Sequence, residues 1–307
     1  MKKTAQRQSA PKSLHAGVRQ TLQRNMTGWL LLLPSMILFT VIIWRPIVVG
    51  ILYSFFDLEG FRPVEFVGVD NFLSVMSDSN FIKTLGNTFQ YVIWSLIIGF
   101  PLPFLTAVML NEMLSGKQYF KISTYLPGII PGIAVCLIWK SLYGEGDSGL
   151  LNMFLAKLNV EPATWLADKY KVIPLIVIMM SWQGFGGTLI MYLASLQGIN
   201  QELYEAARLD GAGFFGRFRH ILLPHMSGIM LLVLVRQIIS VFQVTEQPLI
   251  MTDGGPNGAS LTLGLTNWRY AFKFGQYERS LALGVVTFVI LISLSILYHV
   301  MDKKIND

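Results

Sequence analysis

The sequence predicts an all-α membrane protein with six transmembrane helices and both termini on the cytoplasmic side. Three observations predict it. Of the 307 residues, 53% are apolar and only 14% are charged, against about 25% charged in a typical soluble domain. Six stretches are long and apolar enough to cross a bilayer core of about 30 Å, which takes roughly 20 helical residues. Lysine and arginine are distributed unevenly between the connecting segments, as the positive-inside bias requires.

The stretches run over residues 28–52, 87–110, 122–143, 172–196, 225–250 and 281–301. The first is too long for a cleaved leader and has no small-x-small site after it. It is followed instead by Trp44, Arg45, Pro46 and Tyr53, an interfacial anchor. With the N-terminus inside, segments 1–27, 111–121, 197–224 and 302–307 carry thirteen basic and six acidic residues. The outer segments carry eight basic and eleven acidic ones. Residues 1–27 read as a basic cytoplasmic tail, its first 24 polar and without the apolar content to fold. The outer loops, 53–86, 144–171 and 251–280, are long enough to imply function, and the first has room for a short helix near 71–76. Pro101, Pro103, Pro127 and Pro131 predict bent spans, since each removes a backbone hydrogen bond.

The net charge of +6 is explained by this bias. The basic residues form no aromatic-interleaved patch, so no nucleic-acid partner is expected. Cys136 is the only cysteine, which excludes an internal disulfide. The histidines, His15, His220, His225 and His299, lack ligand spacing, so no metal is expected. No phosphate-loop motif occurs, so the chain itself is expected to bind no ATP. Gly211-Ala212-Gly213-Phe214-Phe215-Gly216 matches G-x-G-x-x-G, but it follows a charged helical segment rather than a buried strand and reads as a bend. No catalytic constellation is present, so no catalytic residue is assigned and an enzyme is not expected.

Segment 197–224 carries the strongest local signal. Asn200 is placed to cap a helix whose first turn holds Gln201 and Glu202. Leu203, Glu205, Ala206 and Ala207 continue it, and Gly211 ends it with a positive φ. A second amphipathic stretch follows from Phe214 to Leu223, and Pro224 is expected to stop it before the fifth span. The small Ala206 and Ala207 would admit another backbone closely. A docking helix and an ordinary surface linker both fit these features.

Glu205-Ala206-Ala207, then Gly211, then Ile221, Leu223 and Pro224 fill the pattern E-A-A-x3-G-x9-I-x-L-P. This resembles the signature of bacterial ABC importer permeases, and the chain resembles the carbohydrate-uptake, maltose-transporter membrane-subunit type over nearly its whole length. Pro34, Trp44-Arg45-Pro46, Phe66 to Phe72 (F-x-G-x-x-N-F), Asn87-Thr88, Leu196 to Ile199 and Thr252-Asp253-Gly254-Gly255-Pro256 (T-x-G-G-P) also resemble segments of that family. The resemblance implies a type I importer permease core over residues 28–307. It implies a second, different permease as heterodimeric partner, two copies of an ATPase holding ATP and Mg, and an extracytoplasmic substrate-binding protein. The setting would be a multi-pass subunit of a bacterial cytoplasmic membrane. Glu205, Ala206, Ala207 and Gly211 would couple to the ATPase, with Ile221, Leu223 and Pro224 setting how the fifth span leaves the interface. The two extra N-terminal spans and large outer domain of the family's larger members have no counterpart here.

For the substrate path, Arg236, Ser240, Gln243 and Gln247 fall within about 60° of one another on a continuous helix. Counted from His225, Arg236 lies about 16 Å into the span, where a charge costs at least about 2.5–3.5 kcal/mol facing lipid. The stripe therefore faces a wet cavity or another helix, as a pathway or as polar glue. Glu246 lies off the stripe and reaches Arg236 only if the helix bends. Trp182 and Gln183 in the fourth span, and Tyr91 and Trp94 in the second, offer the aromatic faces and amides a sugar path uses; they read equally as packing. The resulting expectation is a sugar or oligosaccharide permease working by alternating access. A polyol or glycerol phosphate permease is the nearest alternative. An ion-coupled carrier would need mid-membrane acids and internal repeats, and a pathless scaffold would leave the polar stripe unexplained.

Overall fold

A computed structural model describes residues 26–113, 115–146 and 149–306; most of the basic tail assigned to 1–27 lies outside them. The chain divides into two compact units, one reaching to Tyr53 and the other beginning at Ser54. The first unit's described part is the helix Met26–Phe39, a π-helical turn Thr40–Trp44 and the helix Arg45–Tyr53. Its side chains are apolar and exposed along most of its length, the surface expected of a lipid-facing span.

Among the described residues, five helices are long and apolar enough to cross a membrane: Gly28–Tyr53, Phe81–Glu112, Val172–Leu196, Phe214–Phe242 and Tyr277–Ile296. The sixth candidate, expected at 122–143, is a pair, Lys117–Ile129 and Gly132–Leu142, bent by 96°. The bend falls at Pro131, and Pro127 lies inside the first member, as the proline positions predicted. Near the break the paired helix approaches the fourth span closely. A Cβ on Gly186 would lie 2.5 Å from both Thr124 O and Tyr125 Cα, so only glycine fits there.

Three π-helical turns share one cause. Thr40–Trp44, Ser95–Gly99 and Phe218–Leu222 each end two residues before a proline, Pro46, Pro101 and Pro224 respectively. A helical proline offers no N–H to the carbonyl four residues back, and in each case that carbonyl lies inside the π turn. The wider turn re-spaces the chain so that the helix continues. This corrects the expectation for Pro224: it does not stop the helix, which runs on from Phe214 to Phe242. The fifth span was likewise expected at 225–250. It ends at Phe242, and after Gln243–Thr245 a separate short helix, Glu246–Thr252, follows.

The second unit has two apolar clusters. One gathers Tyr91, Val92, Cys136, Ile176, Met179, Val241, Phe242, Met251, Leu263 and Leu283. The other gathers Phe104, Ala107, Val108, Leu189, Tyr192, Leu196, Leu222, Met226 and Val233. The second, fourth and fifth spans contribute to both, so each passes from one cluster to the other.

The loop segments hold small elements. Strands β1 (Phe56–Glu59) and β2 (Arg62–Phe66) form an antiparallel hairpin. Its turn places Gly60 at φ +63°, a conformation two-residue hairpins favour. The helix anticipated near 71–76 is Asp70–Met76. The buried Asn71 donates to Ser54 O at 3.0 Å and Phe56 O at 2.9 Å, fastening that helix to the start of the hairpin.

Candidate functional site

Three places bear on function: a cavity between the apolar clusters, the loop carrying the glutamate-alanine-alanine motif, and the loop cluster at the opposite ends of the spans.

The cavity encloses about 200 Å3. It opens where the spans cross from one apolar cluster to the other. The second span supplies Ser95, Gly99 and Pro103, the fourth the stretch from Val177 to Met191, and the fifth the stretch from Val233 to Val241. The π turn Ser95–Gly99 gives this wall its polarity. Ser95 O accepts from Phe100 N at 3.0 Å and from Gln237 Nε2 at 2.7 Å, so the fifth span completes the loosened hydrogen bonding of the second. Gly99 lets these groups converge: a Cβ there would lie 2.8 Å from Ser181 Oγ and 2.9 Å from Gln237 Nε2.

Of the residues singled out for a substrate path, Arg236 and Ser240 line this cavity. With Gln243 they also border a wider adjoining hollow. Arg236 lies six residues, about 9 Å, from the end of its helix at Phe242 rather than at its middle. Its Nη1 approaches Met191 Sδ at 3.4 Å. Gln247 does not extend the stripe, because the break at Gln243–Thr245 puts it on the next helix. Glu246 is likewise separated from Arg236. Its carboxylate packs on Gly132, at the head of the second member of the broken pair, where a Cβ would collide with it. Negative charge suits that helix end.

The remaining four candidates sit elsewhere. Gln183 Nε2 donates to Ile130 O at 3.4 Å, reaching a carbonyl at the break. Trp182 meets Trp139 edge-on, with centroids 5.7 Å apart. Tyr91 is fully buried and its hydroxyl donates to Ser260 O at 3.3 Å; it anchors a loop and does not line the cavity. Trp94 is partly exposed and is not a lining residue either. Sequence reasoning missed Gln237, Ser181 and Thr188. Gln237 was detectable as a second polar residue in an apolar span, but it falls off the Arg236 stripe by one residue.

The motif loop folds as its sequence dictates. Asn200 Oδ1 accepts from Glu202 N at 3.0 Å, and Asn200 Nδ2 donates to Glu202 Oε2 at 3.2 Å, capping the helix Gln201–Leu209. Gly211 adopts φ +77°. Ala212 N then returns to Ala207 O at 2.8 Å, closing the helix end through a left-handed glycine. Tyr204 is half-buried and packs with the second apolar cluster, and Arg217 lies over its ring at 6.0 Å. Burial raises the Tyr204 phenol, helped by Glu112 and opposed by Arg217. Glu205, Ala206, Leu203, Leu209 and Phe215 are turned outward, the last two more than 80% exposed. Ala207 and Ile221 are half-buried, and Leu223 and Pro224 are exposed on the continuous helix.

At the other ends of the spans, the Asn87-Thr88 motif meets the loop that follows Thr252–Pro256. Asn87 Nδ2 donates to Gly258 O at 2.8 Å and Leu261 O at 3.0 Å. Thr88 Oγ1 accepts from Leu263 N at 3.0 Å, and Lys83 Nζ donates to Asn257 O. Thr252 and Ser260 share a hydroxyl hydrogen bond of 2.7 Å, and Ser260 Oγ donates to Gly255 O at 2.7 Å. Arg269 pairs with Asp253 at 2.7 Å and holds its carboxyl below the usual range. Nearby, Asp78 accepts from Tyr270 Oη at 2.9 Å and pairs with Arg279 at 3.4 Å.

Residues 20–307 match the family described as binding-protein-dependent transport system inner membrane component. The chain is 29% identical to the arabinooligosaccharides transport system permease protein AraP of Bacillus subtilis, over 89% of this chain and 88% of the relative. It is 31% identical to the trehalose/maltose transport system permease protein MalF of Thermococcus litoralis, over 88% of this chain and 92% of the relative. Among solved structures, it matches a bacterial ABC transporter involved in import of the acidic polysaccharide alginate with a TM-score of 0.83. That match has 23% identity and covers 94% of this chain and 99% of the other; it bears on the fold.

Proposed function

Because the chain belongs to the binding-protein-dependent transport system inner membrane components, and so is an ABC importer permease subunit rather than an enzyme, we propose that it forms half of an oligosaccharide path driven by a partner ATPase. The observation that carries this reading is the unbroken helix Phe214–Phe242. It begins three residues after Gly211, at the end of the motif loop, and brings Val233, Arg236, Gln237 and Ser240 to the cavity wall. A push on the loop is therefore a push on the cavity.

In this mechanism the exposed face of Gln201–Leu209 seats in a groove of the ATPase, while Tyr204 ties its inner face to the bundle. ATP and Mg on that partner supply the free energy. Nucleotide-driven closure moves the loop as a body, the fifth span transmits the movement, and the cavity alternates between the two sides of a bacterial cytoplasmic membrane. A second, different permease completes the path, and a binding protein delivers substrate from outside. The names of the relatives, which concern arabinooligosaccharides, trehalose and maltose, support a saccharide. Hydroxyls and amides at the cavity wall suit one.

Membrane vesicles carrying the whole transporter test this. Uptake is expected to require ATP and to withstand proton uncouplers; the reverse pattern sinks the reading. Glu205→Lys combined with Gly211→Pro, which cannot reach φ +77°, is expected to abolish both uptake and co-purification of the ATPase. Unchanged uptake with the ATPase still bound would overturn the coupling role.

A further inference from the structure

The cavity contains one feature that a neutral sugar does not explain. Arg236 is the only residue with a formal charge among the fifteen that line it, and the adjoining hollow also has Arg236 as its only formal charge. Among the described residues no carboxylate lies within 4.0 Å of its guanidinium. The acceptor it meets is the thioether sulfur of Met191 at 3.4 Å, a weak one. Glu246, the acidic residue nearest in sequence, is engaged at Gly132 beyond the helix break. Arg236 is exposed in the single chain, so its guanidinium is open to a ligand entering the cavity, where it presents a planar fork of donors that carboxylate and phosphate match in pairs. The hydroxyls of Ser181, Thr188 and Ser240 stand on the same walls.

We infer that the imported saccharide is anionic, and that Arg236 receives its carboxylate or phosphate group in the cavity. This rests on the permease reading above and deepens it by naming the substrate class. Arg236 here is a binding residue. The chemistry of recognition is shared by uronic-acid saccharides and sugar phosphates, and the choice of probes separates them.

The test uses the complete transporter, with its binding protein, in proteoliposomes supplied with ATP. The probes are a uronic-acid trisaccharide, the same trisaccharide with its carboxylates reduced to alcohols, a hexose phosphate and a neutral maltotriose. One of the two anionic probes is expected to be taken up at least about tenfold faster than both neutral ones. Arg236→Gln is expected to lower that uptake about 10- to 100-fold, the loss of one charge-assisted pair, and Arg236→Lys to restore part of it. Uptake of the reduced trisaccharide or maltotriose at an equal rate, unchanged in Arg236→Gln, overturns the inference and leaves the permease reading standing. Loss of the second permease on purification of Arg236→Gln also overturns it, by placing the counter-charge on that partner. ATP-driven uptake of none of the four overturns the inference, while the permease reading stands or falls by the vesicle assay above.

Discussion

Asn87 is the most exacting test of how the loop cluster is held. It is 6% exposed, and its amide donates to two loop carbonyls, Gly258 O and Leu261 O. Asn87→Ala removes both bonds. Gly258 O keeps a partner, the Leu261 amide at 3.3 Å; Leu261 O loses the Asn87 donor. One ordinary bond plus the desolvation of one carbonyl amounts to about 2 kcal/mol, or roughly a 30-fold rise in the open population of the loop. The amides of Ser260, Leu261 and Leu263 are all hydrogen-bonded in the closed loop, so they report opening directly. Hydrogen exchange followed by mass spectrometry over residues 252–263 of the detergent-solubilised protein is expected to speed up by that factor. Exchange over 201–211 should stay unchanged. Asn87→Asp keeps the shape but turns an anion toward the two carbonyls, and should exceed the alanine effect. Exchange that is unaltered at 252–263, or that rises equally in both segments, would refute the clamp.

Other substitutions probe the remaining contacts. Gly186→Ala drives a Cβ to 2.5 Å from backbone atoms of Thr124 and Tyr125 and should cost about 1–3 kcal/mol in thermal unfolding. Gly187→Ala, with open space around it, serves as the control, and equal effects would remove the close-approach explanation. Gly211→Ala keeps the loop composition but strains φ +77°, costing about 1–2 kcal/mol, read as faster exchange at Ala212. Asp78 gives a pH dependence. Burial acts to raise its pKa, but the Asn80 N–H, the Tyr270 hydroxyl and Arg279 outweigh it and hold the value below 3.8. A depressed carboxylate stabilises the fold above the unfolded value and loses that contribution as pH falls through the folded one. Acid titration of protease resistance near residues 74–80 should therefore show a step below about pH 3.8 that Asp78→Asn abolishes.

Much of this was legible in the sequence because it depends on local chemistry. Apolar run length located the spans, Asn200 and Gly211 marked both ends of the motif helix, and Pro127 and Pro131 marked the broken third span. Pro224 misled because a proline's effect depends on whether the preceding turn can widen. Phe218–Leu222 does widen, and no periodicity in that segment signals it. The fifth span was overextended for a related reason. Val244, Pro248 and Met251 are apolar and buried, with Leu249 and Ile250 half-buried between them, so hydropathy carries across a break that only the fold reveals. Asn87-Thr88 and Thr252–Pro256 were each visible as motifs, but the bonds from Asn87 and Thr88 go to residues 258–263, more than 160 residues away, and leave no local trace. Tyr91 drew attention as an aromatic face for a sugar path; its hydroxyl is instead used within that same clamp.

The placement of the cavity explains why polar groups are tolerated there. Second, fourth and fifth spans each run from one apolar cluster to the other, and the cavity lies in the gap where they cross, with Val177, Val233 and Val241 at its margins. The π turn at Ser95–Gly99 falls in this gap and leaves Ser95 O available to Gln237. The glycines Gly99 and Gly184 leave room beside it. Displacement of the fifth span would break the Gln237–Ser95 bond and widen the gap, and would also shift Met226 and Val233 in one cluster and Val241 and Phe242 in the other. The loop at one end of that span and the cavity wall near its other end are thus connected by a rod with one wide turn, Phe218–Leu222, close to the loop. Movement of the loop would therefore reach the polar gap and both apolar clusters through the same helix.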